Sequence, residues 1–237
     1  MTLTPARRLG ALLLVAAVAL AACAGSPPAT PTIPSATPTQ TPSAAPPDAA
    51  PSPPAGAVPG PCPTSPPPPL AADATATVTL ATEKGDIVIE VSGSLAPNAA
   101  ASFVALAECG FFDGVVFHRL VPGFVIQGGD GEFGRKPNVD PDRVGTGGPG
   151  YLFADDPVTR PYTRATVAMA NAGPDTNGSQ FFICLEDVGL PPAYSIFGTV
   201  VSGMDVVDTI AAMPNSGSPA NQALEPVAIT KATVTRP

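Results

Sequence analysis

Residues 24–72 constrain the fold of this chain most strongly, because they consist almost wholly of Pro, Ala, Thr, Ser and Gly. They hold 18 of the 33 prolines, one charged residue, Asp48, and no aromatic residue. Such a composition cannot bury enough apolar surface to offset the entropy lost on ordering. We therefore expect a disordered stalk over residues 23–72 and one folded domain over residues 73–237, which hold every Phe and Tyr.

Residues 1–22 have the features of an export signal, with two arginines followed by an apolar run over residues 9–22. That run is too short to span a bilayer stably, since about 20 residues are needed. Residues 20–23 (Leu-Ala-Ala-Cys) resemble the bacterial lipobox, which implies that Cys23 is acylated. The resemblance predicts a protein lipid-anchored on the extracytoplasmic side of a bacterial envelope membrane. The alternatives are a plain secretory peptide and a core helix.

The stalk is expected to favour polyproline II, with a reach of at most on the order of 150 Å at about 3.1 Å per residue. It can be a spacer without a binding role or a proline motif for a partner. The net charge is −8, and it becomes −10 (9 basic against 19 acidic residues) once Arg7 and Arg8 leave with the signal. Because no basic run could neutralise phosphates, nucleic acid is not an expected partner.

The hydrophobic pattern of the folded part indicates many short strands and two helices. Alternating apolar residues around a turn at residues 83–86 predict a β-hairpin. Pro97 opens a helix that stops at Gly110, and a second helix begins near Met204 and stops at Pro214. Further strands are predicted around residues 116–117, 125–126, 167–169, 181–185, 196–201 and 227–234. Many strands without a βαβ rhythm predict a mainly β fold, a closed antiparallel barrel capped by helices.

Familiar catalytic machinery is not evident in the sequence. His118 is the one histidine, and the adjacent Arg119 disfavours its protonation, so a Ser-His-Asp or Cys-His site has little support. One histidine with scattered cysteines argues against a zinc site. The glycines of residues 145–150 match no nucleotide-binding motif. We expect neither a metal nor a cofactor.

Two longer blocks carry the chemistry. Residues 117–130 (Phe-His-Arg-Leu-Val-Pro-Gly-Phe-Val-Ile-Gln-Gly-Gly-Asp) place Arg119 on an apolar strand, which by itself would favour a structural ion pair. Residues 169–183 combine hydrogen-bonding Asn and Gln side chains with aromatic residues. Together the blocks resemble the two signature segments of the cyclophilin family of peptidyl-prolyl cis/trans isomerases, and the resemblance extends over residues 75–236.

The resemblance implies a closed eight-stranded antiparallel barrel capped by two α-helices that acts on proline-containing segments. Because the chain carries an export signal, we expect these segments to belong to exported proteins, and we expect the protein to be a monomer. The resemblance places the catalytic pair at Arg119 and Gln127. The residues that it places in the proline pocket or along the substrate are Phe124, Val125, Ala170, Asn171, Gln180, Phe182, Leu190 and Tyr194. Phe181, which neighbours Phe182 on a strand, is expected to point into the core instead.

The implied chemistry needs no covalent intermediate. Twisting an X-Pro bond removes amide resonance, against a barrier of about 18–20 kcal/mol. A guanidinium that donates to the pyramidal proline nitrogen, or interacts with the displaced carbonyl, binds the twisted state better than either planar isomer. The alternative is a peptide-binding chaperone or scaffold of the same fold with little catalytic role, and fold alone does not separate the two.

The chain also departs from the family pattern. It has no tryptophan before Leu190, where many eukaryotic members carry one, and Tyr194 stands where those members often have histidine. Both changes put strong cyclosporin binding in doubt. An insertion over residues 131–143 is expected to form a solvated surface loop beside the active face.

Three cysteines remain besides Cys23, so one thiol has no partner. Cys184 lies on a predicted core strand and is interpreted as a small buried hydrophobe. A bridge between Cys62 and Cys109 is a hypothesis that would attach the end of the stalk to the domain.

Overall fold

The computed structural model describes residues 61–237, and within them the predicted fold class is confirmed. The strands are β1 (Thr75–Thr82), β2 (Gly85–Ser92), β3 (Val116–Val121), β4 (Val125–Gly128), β5 (Thr166–Met169), β6 (Phe181–Cys184), β7 (Ile196–Ser202) and β8 (Gln222–Thr235), and the helices are α1 (Pro97–Glu108) and α2 (Met204–Ala211). The strands close into an antiparallel barrel in the order β1-β2-β7-β5-β6-β4-β3-β8. No helix in this part of the chain is long and apolar enough to cross a membrane.

The β1–β2 hairpin forms where alternation predicted it, with Thr82 paired to Gly85 across the turn. Gly85 has a φ of +129°, a conformation that favours glycine. Every second residue of both strands points into the barrel, and Leu80 and Ile87 are fully buried there.

Helix α1 begins at Pro97 as predicted, but its N-terminal cap comes from far along the chain. The carboxylate of Asp156 accepts hydrogen bonds from the backbone N–H groups of Asn98 (3.2 Å) and Ala99 (2.9 Å). A carboxylate at this end satisfies free N–H donors and complements the helix dipole. The chain leaves the helix through Gly110, which has a φ of +78°.

Aromatic rings fill the barrel core beneath α1. Phe103 of α1 lies 5.2 Å from Phe181 and 4.7 Å from Phe197, measured between ring centroids. Phe112 and Phe117 meet the same Phe181 ring edge-on. This cluster fixes the inner face of β6, so the next residue of that strand must point outward.

The segment before β1 is attached to the domain at both ends of α1. A disulfide joins Cys62 to Cys109 with a Cα–Cα distance of 5.1 Å, which confirms the predicted bridge. Further on, the N–H of Leu70 donates to the carbonyl of Pro97, and its side chain packs against the core. The predicted boundary at residue 73 therefore falls inside the described part of the chain. The predicted signal, Cys23 and the stalk as far as residue 60 lie outside the described residues.

Candidate active site

Three strands bring the two predicted catalytic side chains together on the outside of the barrel. Arg119 of β3 pairs with Gln127 of β4, and Gln127 pairs with Phe182 of β6. Directly paired residues of neighbouring strands project to the same face of a sheet. The register of β3 shifts between Phe117 and Arg119. This bulge allows Phe117 to point into the core while Arg119 faces the outer surface.

A chain of side-chain hydrogen bonds orients the arginine. Arg119 Nη1 donates to Gln127 Oε1 (3.3 Å), and Gln127 Nε2 donates to Gln180 Oε1 (3.0 Å). Gln180 Nε2 in turn donates to the carbonyl of Gly147 (2.9 Å). Each amide thereby has one orientation that satisfies its neighbours. Among the ion pairs of residues 61–237 none includes Arg119, so its guanidinium is not held by a carboxylate there.

The arginine lines an outward pocket of about 210 Å³. The pocket is lined by Arg119, Phe124, Val125, Gln127, Ala170, Asn171, Phe182, Leu190 and Tyr194. The structure thus brings together every predicted site residue of the domain except Gln180, which lies behind Gln127 and borders a neighbouring groove. Their roles in the reaction remain predictions.

Tyr162 supports the rim of the pocket and was missed in the sequence analysis. Its hydroxyl donates to the carbonyl of Tyr194 (3.0 Å) and accepts from the N–H of the same residue (3.0 Å). Burial raises the pKa of Tyr162, so it stays neutral and can do both. Tyr194 then stands edge-on to Phe182 with ring centroids 5.7 Å apart. No local pattern in the sequence signals this contact, because Tyr162 lies 32 residues before Tyr194.

A groove of about 600 Å³ adjoins the pocket and shares Gln127, Ala170 and Asn171 with it. Its outer wall is the glycine-rich loop over residues 145–150. Asn171 lies where groove and pocket meet, and its Nδ2 donates to the carbonyl of Ala193 (2.9 Å). The two cavities therefore form one continuous concave surface.

Asp130 organises the wall of this groove and was also missed. Its carboxylate accepts four backbone hydrogen bonds, from Glu132, Phe133, Gly145 and Gly147. Burial alone would raise the pKa of Asp130, but these four donors outweigh it and hold the pKa below its ordinary value. An added Cβ at Gly147 would collide with the carboxylate, which explains the glycine there.

The insertion over residues 131–143 is attached to the domain through two basic side chains. Arg135 is only partly exposed and donates to the carbonyls of Phe111 and Asp113. Lys136 of the loop forms an ion pair with Glu83 at the β1–β2 turn, with 2.9 Å between Nζ and Oε2, and both side chains are partly exposed. Seven of the thirteen residues of the loop are exposed, which agrees with the predicted solvated surface loop, and Arg135 and Lys136 attach it to the rest of the domain.

His118 lies at the β3 bulge beside Gly145, and it is 5% exposed. Burial, opposed by nearby Asp130 and reinforced by Arg119, lowers the pKa of His118 to about 4. Neither ring nitrogen has a hydrogen-bond partner among the described residues. A neutral, buried imidazole of this kind packs beside the loop and does not reach the pocket. The described residues also contain no group of three or more His, Cys, Asp or Glu side chains suited to a metal ion.

Cys184 is buried and unpaired within the described part of the chain. Burial raises the pKa of its thiol to about 12. The interpretation of Cys184 as a small apolar core residue agrees with this environment.

This chain is similar in sequence to proteins of a known family. A family model described as cyclophilin type peptidyl-prolyl cis-trans isomerase matches residues 77–234. Peptidyl-prolyl cis-trans isomerase A of Mycobacterium tuberculosis is 40% identical over 187 residues, which cover 68% of this chain and 93% of the relative. A peptidyl-prolyl cis-trans isomerase of Helicobacter pylori is 40% identical over 141 residues, which cover 57% of this chain and 80% of the relative.

Solved structures resemble the fold as well. A cyclophilin type peptidyl-prolyl cis-trans isomerase from Cryptosporidium parvum superposes with a TM-score of 0.58 at 30% identity, covering 68% of this chain and 98% of its own. A second structure of that protein, determined in the presence of the dipeptide Ala-Pro, has the same TM-score of 0.58 and covers 67% of this chain.

Proposed function

Because the chain belongs to the cyclophilin-type peptidyl-prolyl cis-trans isomerases, we propose that its outward pocket holds the proline of an X-Pro bond and that Arg119 stabilises the twisted amide.

The pocket suits a proline ring. Phe124, Val125, Phe182 and Leu190 supply apolar walls, and the Tyr194 ring bounds one side. A concave, mostly apolar site with a few polar groups is the usual form of a small-ligand pocket. The structure of the Cryptosporidium relative in the presence of Ala-Pro supports the same ligand chemistry.

Arg119 is suited to act on the amide at the edge of this pocket. As the X-Pro bond twists, the proline nitrogen becomes pyramidal and gains a lone pair that a guanidinium N–H can bond. The planar forms lack this lone pair, so the interaction strengthens only in the transition state. Gln127 accepts from Nη1 and thereby fixes the plane of the guanidinium while other N–H donors remain for the substrate.

Asn171, Ala170 and Gln180 are proposed to hold the peptide backbone on either side of the proline. All three lie at the junction of pocket and groove or line the groove. Backbone contacts remote from the twisting bond orient it toward Arg119, and such orientation contributes to the rate.

The observation that carries the proposal is an arginine in an apolar pocket with no carboxylate partner among the described residues. We expect Arg119→Ala to lower kcat/KM at least tenfold, about 1.4 kcal/mol or more, in a coupled isomerisation assay with an Ala-Ala-Pro-Phe peptide. Arg236→Ala is the matched control, since Arg236 pairs with Glu108 at the surface, outside the pocket. Near-wild-type activity of Arg119→Ala would refute the arginine mechanism. If the wild-type protein binds the peptide without accelerating isomerisation, the scaffold alternative applies.

We also propose that the protein acts as a monomer on exported proteins at a bacterial envelope membrane, anchored through acylated Cys23. The Cys62–Cys109 disulfide supports an extracytoplasmic location, because such bonds persist in oxidising compartments. The Cys23→Ser variant should move from the membrane fraction to a soluble or uncleaved form. Unchanged partitioning would contradict the anchor, and a dimer in light scattering would contradict the monomer.

A further inference from the structure

We propose that Glu132 makes the enzyme selective for proline-containing segments that carry a Lys or Arg on the side of the proline that lies in the groove. The inference rests on the proposed function of the pocket and adds the class of substrate that this site prefers. Glu132 contacts the substrate away from the twisting bond, so it is a specificity residue and not a catalytic one.

The groove beside the proline pocket carries a single charged side chain. Of the described residues that line it, Glu132 is the only acidic or basic one. The Glu132 side chain is exposed, and its carboxylate belongs to none of the ion pairs of residues 61–237. This carboxylate is therefore available to a charged group of a peptide that occupies the groove.

Backbone contacts hold Glu132 against the groove wall. Its N–H donates to the carboxylate of Asp130 (3.0 Å). An added Cβ at Gly147 would come within 2.7 Å of the Glu132 Cβ, so the Glu132 side chain begins directly beside the glycine-rich loop. At Gly148 and Gly150 an added Cβ would meet nothing within 4 Å, so the loop is open there. The wall therefore presents the carboxylate without a bulky side chain of its own.

The basic side chains of the same loop are bound elsewhere. Arg143 stacks on the Phe133 ring, with its guanidinium carbon 3.6 Å from the ring centroid. Lys136 pairs with Glu83, and Arg135 donates to backbone carbonyls just after α1. None of the three lines the groove. The loop therefore leaves the charge of its own groove-lining carboxylate without a basic partner.

A short peptide spans the path from Arg119 to Glu132. Three hydrogen bonds, each 3.3 Å or shorter, lead from Arg119 through Gln127 and Gln180 to the carbonyl of Gly147, and Glu132 adjoins Gly147. An extended peptide advances about 3.3 Å per residue. At most about six residues therefore separate a proline at Arg119 from a residue at Glu132, and both belong to one bound segment.

The charges at the two ends of this concave surface are opposite. Arg119 lines the pocket and Glu132 lines the groove. A Lys or Arg in the groove is attracted to Glu132, whereas an Asp or Glu is repelled, so attraction and repulsion both contribute to the discrimination. Because the carboxylate is exposed, each contribution is small. We expect kcat/KM for a Lys peptide to exceed that for the matched Glu peptide about three- to tenfold.

Exchange spectroscopy on peptides with a single Ala-Pro bond tests this preference. Each peptide has an Ala-rich framework and carries Lys, Gln or Glu at one position, from the sixth residue before the proline to the sixth after it. We expect the Lys peptide to be isomerised about three- to tenfold faster than the Glu peptide at positions on one side of the proline only. In 1 M NaCl the ratio should fall, because salt screens exposed charges. A ratio below about twofold at every position, or an equal preference on both sides, would overturn the proposal.

Two substitutions assign the preference to Glu132. Glu132→Gln keeps the size of the side chain and the backbone bond to Asp130, and should reduce the Lys to Glu ratio below about twofold. Glu132→Lys should invert the ratio, so that the Glu peptide becomes the better substrate. Each ratio compares peptides on one protein preparation, so a change in the folded fraction does not alter it.

Glu90→Gln is the matched control because it removes the same charge from an exposed position. Glu90 lies on β2, which is opposite β4 in the closed barrel, and it does not line the groove. The ratio in this variant should equal that of the wild type. An equal loss of preference in Glu90→Gln and Glu132→Gln, or an unchanged ratio in Glu132→Gln, would contradict the role of Glu132.

The outcomes separate this inference from the proposed function. Isomerisation of the Gln peptides that depends on Arg119, without a charge preference among the other peptides, overturns the role of Glu132 alone. If no peptide is isomerised, whatever its charge, the proposed function fails and this inference fails with it.

Discussion

The two neighbouring phenylalanines of β6, Phe181 and Phe182, project to opposite faces of the barrel wall. Phe181 is fully buried among the rings of the barrel core, whereas Phe182, 6% exposed, lines the outward pocket with Tyr194. The backbone alternation that separates them is the ordinary geometry of a strand. We therefore expect Phe181 to contribute to stability and Phe182 to the proposed activity, so that substitutions at the two positions have opposite effects on these two quantities.

The largest expected effect is on the stability of the inner face. Phe181→Ala removes a ring packed edge-on against Phe103, Phe112 and Phe117, and should lower the free energy of unfolding by about 3–5 kcal/mol. Urea denaturation measures the loss, with Phe181→Leu as a variant that keeps more of the volume and loses less. A loss below about 1 kcal/mol would mean that the core repacks and that the two faces are not distinct.

A second expected effect concerns buried His118, whose pKa of about 4 in the folded state lies below its ordinary value of 6.5. The unfolded chain therefore binds the proton first, so stability is complete above about pH 6.5 and falls as the pH drops toward 4. The total change is on the order of 3 kcal/mol. Urea midpoints of wild type and His118→Gln between pH 7 and pH 4.5 measure it. If the urea midpoint changes equally with pH in the two proteins, the imidazole of His118 is not buried in its neutral form.

The outer face should lose activity rather than stability. Phe182→Ala opens one wall of the proline pocket and should lower kcat/KM at least tenfold, about 1.4 kcal/mol of transition-state stabilisation. Its effect on the free energy of unfolding should be smaller than that of Phe181→Ala. Peptide isomerisation and urea denaturation of the same preparations give both quantities. The division of roles fails if Phe182→Ala keeps full activity.

The smallest effect is expected behind the pocket. Gln180→Leu keeps the approximate size but removes the acceptor for Gln127 and the donor to the Gly147 carbonyl. The net contribution of a hydrogen bond of this kind is about 0.5–1.5 kcal/mol. We therefore expect kcat/KM to fall about two- to tenfold. Thr230→Val, which removes a surface bond to the Ala81 carbonyl on the β1–β8 side of the barrel, is the matched control. Equal rates in the two variants would show that Gln180 does not position the site.

The regular elements were predictable because their signals are local. Alternation marked the β1–β2 hairpin, and Pro97 and Gly110 marked the ends of α1. The pocket residues followed from resemblance to a family, since no local pattern joins Arg119 to Leu190. Strict alternation along β3 would even have put Arg119 on the same face as core residue Phe117, and the bulge that prevents this depends on partner strands.

Each of the missed residues has at least one partner that is distant in sequence. Tyr162 supports Tyr194 across 32 residues, and Asp156 caps α1 across 57 residues. Asp130 binds the N–H groups of the neighbouring Glu132 and Phe133, as Asp often does in turns, but it also binds those of Gly145 and Gly147, which lie 15 and 17 residues further on. Such contacts exist only once the barrel has closed, so a single sequence cannot reveal them.

The central claim is that the planar guanidinium of Arg119, oriented by Gln127, accelerates X-Pro isomerisation from the outer face. The most direct test is kcat for an Ala-Ala-Pro-Phe peptide in Arg119→Lys, which keeps the charge but loses the fixed fork of donors. We expect kcat to fall at least tenfold while the free energy of unfolding changes by less than about 1 kcal/mol. A kcat near that of the wild type would show that positive charge alone suffices and would contradict this account.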